Sequence, residues 1–151
     1  MTNEDIINNL NDLIETCKDG EEGFRTCAAD IRNVELKQFF IARAVDCAAS
    51  AEELQQIVIE YDGDPETKST IAGAMHRRWV DFKAAIMGKD EEAVLDECER
   101  GEDIALNHYE EALEEDWPLN VRSVIERQYR GLRENHDQVK YLRDQAAAMH
   151  D

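Results

Sequence analysis

The sequence has little that interrupts a helix. It contains 2 Pro and 7 Gly in 151 residues. No segment alternates apolar and polar side chains with period two, so no sheet is expected. No apolar run approaches the ~20 residues of a membrane-spanning helix. The opening Met1-Thr2-Asn3-Glu4-Asp5 is polar and acidic, without the basic start and apolar run of a secretory signal. Basic residues are scarce: 17 Lys and Arg stand against 35 Asp and Glu, a net charge of −18. Such a surface repels phosphate backbones and anionic lipid, which argues against nucleic acid or a membrane as partner. The 4 Cys fall at 17, 27, 47 and 98, with no Cys-x-x-Cys pair, so a structural zinc site is not expected. These absences together predict a cytoplasmic protein with reduced thiols.

What is present is a repeat. Cys98-Glu99-Arg100-Gly101-Glu102-Asp103 copies Cys17-Lys18-Asp19-Gly20-Glu21-Glu22 as Cys-x-x-Gly-Glu-acid. Self-similarity of this kind points to duplicated structural units, here two related helical hairpins. A chain of 151 residues can bury one sizeable core, so residues 1–151 are expected to form a single domain.

Apolar residues recur every three or four positions in five segments. The first helix spans about 3–31, with Ile6, Leu10, Ile14, Cys17, Phe24, Ala28 and Ile31 on one face. Glu21 fills the gap in that stripe, so it points inward. Gly20 beside it implies a close neighbour or a kink. Asn33 caps a second helix, about 34–61, which stops at Asp62-Gly63-Asp64-Pro65. A shorter helix at about 70–87, with Trp79 and Phe82 on its apolar side, suits a crossover ended by Gly88. Asp90 caps a helix of about 91–115 that carries Val94, Leu95, Cys98, Ala105 and Tyr109, with Glu102 interrupting the stripe as Glu21 does. Trp117-Pro118 leads into the last helix, about 119–149, whose buried line includes Val121, Ile125, Gln128, Leu132, His136 and Val139. The expected fold is all-α: a four-helix bundle of two hairpins joined by a long crossover that carries a short fifth helix.

Two inward Glu and one inward His from three helices need an explanation, because a buried charge must be paired or bound to metal. One solution in helical bundles is a di-metal carboxylate centre with a Glu on each of two helices and Glu-x-x-His on the other two. Oxygen and imidazole ligands suit iron or manganese. The candidate metal ligands are Glu21, Glu102, His136 and, at the edge of its stripe, Glu53. The competing reading has the carboxylates paired with core side chains such as Gln128 and Tyr129. Cys17 and Cys98, repeat-equivalent but on opposite sides of the bundle's middle, read as small core residues rather than ligands of one site. His76-Arg77-Arg78-Trp79 is a basic cluster suited to pairing with the acidic surface.

The Gly20-Glu21 and Gly101-Glu102 pairs resemble the Gly-Glu of rubrerythrin-type helices in the ferritin-like superfamily. Over nearly the whole chain, the sequence is similar to an uncharacterised bacterial family of ferritin-like four-helix bundles. The stretches that carry this are residues 10–24 and 97–103, Ala72-Gly73-Ala74-Met75-His76-Arg77 and Glu126-Arg127-Gln128-Tyr129. The resemblance implies a ferritin-like bundle and assigns no activity. The chain departs from the di-iron pattern: three residues before His136 stands Arg133, and the second helix has no His. The favoured expectation is therefore a non-catalytic bundle with a degenerate metal site, a stress-associated interaction protein. The alternatives are an iron- or manganese-binding carboxylate protein or oxidase, and a scaffold that forms a homo-oligomer or binds a protein partner.

Overall fold

The computed structural model describes residues 1–68 and 91–150. The expected crossover helix with Trp79, Phe82 and the His76–Trp79 cluster lies outside the described residues, as does the Asp90 cap. Among the described residues are four helices: α1 (Asn3–Asp30), α2 (Val34–Glu60), α3 (Glu91–Leu113) and α4 (Leu119–His150). The expected boundaries agree to within one or two residues.

The helix ends are chemically specified. At α1, the Asp5 N–H donates to Thr2 Oγ1 and the Thr2 N–H donates back to Asp5 Oδ2, each at 3.0 Å, a closed capping box. Asn33 Oδ1 accepts from the Leu36 N–H at the start of α2. The end of α2 differs from expectation in one respect. Asp62, not Gly63, takes the left-handed conformation, with φ 61°. The Asp62 N–H donates to the Ile59 carbonyl and the Gly63 N–H to the Val58 carbonyl, the paired bonds of a Schellman end. Gly63 is required for packing instead: a Cβ there would stand 2.8 Å from Ile7. The last carbonyls of α3 are satisfied by side chains. The Trp117 indole donates to Ala112, and the Arg122 guanidinium donates to Leu113 and Glu115.

Contacts across the bundle fix its topology. Cys17 meets Tyr109 and Cys27 meets Cys98, so α1 and α3 are antiparallel. Ser50 and Glu53 meet Gln128 while Arg43 meets Asn135, so α2 and α4 are antiparallel. With each hairpin also antiparallel, the order is up-down-down-up, so the end of α2 and the start of α3 lie at opposite ends of the bundle. Pairing is extensive within α1–α2 and α3–α4, moderate for α1–α3 and slight for α2–α4.

The apolar core comes in two blocks. One holds Leu10, Ile14, Leu54, Val58, Trp117, Val121 and Ile125. The other holds Phe24, Phe40, Leu95, Cys98 and Val139. The interrupted stripes of α1 and α3 leave a polar layer between them.

Candidate functional site

A cavity of about 1590 Å³ opens at that layer, with walls from all four helices. All four cysteines line it, together with Gly20, Arg43, Glu53, Glu102, Tyr109, Gln128 and Asn135. Exposed Arg100, Ile104, His108 and Arg127 stand on its rim, so solvent reaches it.

Glu102 is buried to 4% exposure, and neither carboxyl oxygen has a hydrogen-bond partner among the described residues. Desolvation pushes its carboxyl up to about 8, against the pull of the nearby Arg43 charge. Arg43 reaches in from α2. It donates from Nη1 to Asn135 Oδ1 on α4 and pairs with Asp46 at 2.9 Å, while its buried Nε has no partner among the described residues.

Glu21 is equally buried, but its charge is met on its own helix, by Arg25 Nη2 at 2.6 Å and Lys18 Nζ at 3.4 Å. Gly20 is small for a reason: a Cβ there would stand 2.9 Å from Cys47 Sγ. Burial, and the neighbouring carboxylates of Glu102 and Glu21 among lesser causes, push the Cys47 thiol far up.

Glu53, itself partly exposed, ends a relay that ties the four helices together. Cys17 Sγ on α1 lies 3.1 Å from the Tyr109 hydroxyl on α3. That hydroxyl donates to Gln128 Oε1 on α4 at 2.8 Å. Gln128 Nε2 donates to Glu53 Oε1 at 2.7 Å and to the Ser50 carbonyl at 3.2 Å, both on α2. Arg127 covers the other oxygen of Glu53. Desolvation holds the Cys17 thiol up at about 11, so Cys17 donates to Tyr109 as a neutral S–H. Sequence periodicity signalled Tyr109 only as a stripe position, whereas the competing reading paired Gln128 with Glu21 or Glu102, and it pairs with Glu53 instead.

His136 stands apart from the chamber. Its Nε2 lies 2.6 Å from Asp103 Oδ1 and 3.9 Å from Glu99 Oε1. Glu99, Asp103 and His136 offer ligand atoms within 4.8 Å of one another, the one such group among the described residues. A cation from the chain already serves it, since Arg143 pairs with Glu99.

The four residues expected as ligands therefore divide. Glu102 and Glu53 face the chamber at different levels, Glu21 pairs along α1, and His136 turns to α3. No three of them bring ligand atoms within 4.8 Å. Where a di-metal centre needs Glu-x-x-His on α2 and α4, the chamber presents Arg43, Cys47 and Asn135. The donor set does not fit two metal ions.

Solved structures of similar fold place the chain in context. The dodecameric thioferritin of Bacteroides fragilis, a bacterioferritin-related protein, superposes with a TM-score of 0.75 at 14% identity, covering 99% of this chain and 91% of that one. A ferritin-like, diiron-carboxylate protein of Bacillus anthracis gives 0.68 at 17%, covering 94% and 96%. No curated protein matches. The fold is that of a ferritin-like bundle. Residues 5–115 match one family, and the chain belongs to it: the domain of unknown function DUF2383.

Proposed function

We propose that this protein is a ferritin-like bundle with a degenerate metal layer, a non-catalytic protein as far as metal-dependent oxygen chemistry is concerned. The observation that carries this is Arg43. Its guanidinium enters the carboxylate layer from α2 and is held there by Asn135 of α4. A divalent ion placed in that layer would be repelled by the guanidinium, and burial would screen that repulsion less than bulk water does. The Arg43 charge pulls on Glu102 without pairing with it, and burial still holds that carboxyl up at about 8. The test is elemental analysis of untagged protein after anaerobic ferrous loading and desalting. Iron and manganese well below one per chain are expected. One or two per chain, lost in Glu102→Gln, would overturn the reading.

A second reading, association of copies, rests on α2. Val34, Ile41 and Val45 share one side of that helix and are each about half exposed or more. Light scattering across a concentration series tests it. A strict monomer at every concentration rejects it, and a larger species that Val45→Glu dissociates supports it.

A further inference from the structure

Two of the four cysteines face each other. Cys27 Sγ on α1 lies 2.9 Å from Cys98 Sγ on α3, and both side chains are buried among apolar neighbours. Cys17 is engaged by Tyr109, and Cys47 sits against Gly20. Cys27 and Cys98 also line the chamber, whose rim opens to solvent. The degenerate metal layer does not account for a thiol pair brought into contact from two helices.

We propose that Cys27 and Cys98 form a redox-active dithiol, which a small hydroperoxide entering the chamber converts to a disulfide joining α1 to α3. The proposal stands whether or not the chamber binds metal. In the first step one thiol sulfur attacks the peroxide O–O bond. The sulfur becomes a sulfenic acid, and the thiol's proton leaves with the departing alcohol, or with water when the probe is hydrogen peroxide. In the second step the facing thiol attacks the sulfenic sulfur, the S–S bond forms, and water carries away the hydroxyl and the second proton. Two thiols lose two electrons and two protons, and the peroxide gains them.

The geometry favours the second step over further oxidation. The resolving sulfur is already in contact, and closure to the ~2.05 Å of a disulfide asks for a shift of about 1 Å. The hydrogen bond that the Cys98 S–H donates to Cys27 and, after it, desolvation hold the Cys98 thiol well above the usual range.

The experiment uses the full chain. Reduced protein is treated with hydrogen peroxide, quenched in acid, unfolded, alkylated and weighed intact. Two of the four thiols should become unavailable, with a loss of two hydrogens that dithiothreitol reverses. Peptide mapping should link Cys27 to Cys98. The Cys17→Ser, Cys47→Ser double variant should behave like the native chain, while Cys98→Ser should show no link. Four alkylated thiols after excess peroxide, a link between any other pair or between chains, or irreversible oxygen adducts at Cys98 would each overturn the proposal. Should Cys98→Ser fail to fold, the native peptide map decides alone.

Discussion

At the residue scale, Glu102 is a buried acid whose carboxyl oxygens meet no partner among the described residues. An acid whose folded value is raised to about 8 from 4.5 binds more protons in the folded state than in the unfolded chain between those values. Stability is then fullest below about 4.5 and falls as pH rises through about 8. Glu102→Gln removes that dependence, since the amide cannot ionise. The variant should exceed the native protein in stability by an amount that grows from pH 5 to pH 8.5, reaching a few kcal/mol at most. Urea titrations at the two ends of that range read it directly, and equal differences at both would show that Glu102 does not stand unpaired in the core. Gln128 presents the opposite case. It is the single residue that accepts from Tyr109 and donates to Glu53 and Ser50. Gln128→Ala leaves a hydroxyl and a carboxylate oxygen without their partner in the layer, which should cost about 1–3 kcal/mol. A loss below ~0.5 kcal/mol in the same titration would mean that water replaces the amide at no cost.

At the element scale, the two repeat-equivalent glycines separate helix propensity from packing. Gly101 has nothing within 4 Å of where a Cβ would stand, while Gly20 faces Cys47 Sγ at 2.9 Å. Gly101→Ala should therefore recover the full gain of Ala over Gly in a helix interior, about 1 kcal/mol. Gly20→Ala must displace the Cys47 side chain, so its gain should vanish or reverse. It should return when Cys47→Ala clears the space, giving a coupling of about 1 kcal/mol in a double-mutant cycle. Additive single effects would show that α1 and α2 are not in close contact there. The hairpin elements were legible in the sequence because Asn33, Pro118 and the Asp62–Pro65 stop are local signals. Gly20 left a close neighbour and a kink as alternatives, and the structure shows the neighbour, Cys47. A contact partner lies on another helix, and no local pattern names it.

At the scale of the whole molecule, the helical stripes and the repeat were enough to set the bundle, because a period near 3.6 leaves one face per helix to bury. They also put Glu21 and Glu102 on the inward side, where both are buried. The composition of the layer was less legible. Arg43 sits beside the stripe of Phe40, Ala44 and Cys47, and helix phase locates a Cα rather than the end of a long side chain. His136 lies on the α4 line, yet its ring turns to Asp103, a choice made by tertiary neighbours. What remains global is charge. With 35 acidic and 17 basic residues, compaction forces like charges together. Many visible pairs, such as Arg25–Glu21 and Arg100–Glu97, are short-range within one helix and leave the net excess untouched. Salt should therefore stabilise this protein. Between about 0.01 M and 0.15 M ionic strength the screening length falls from roughly 30 Å to 8 Å. Repulsion across the bundle is then removed, while pairs in contact are weakened far less. The melting temperature should rise over that interval at pH 8, and by less at pH 5.5, where protonation has begun to reduce the net charge. Glu102→Gln should keep the salt response while losing its own share of the pH response, so the two effects can be told apart. A melting temperature that stays flat or falls with salt at pH 8 would mean that local pairs outweigh the net charge.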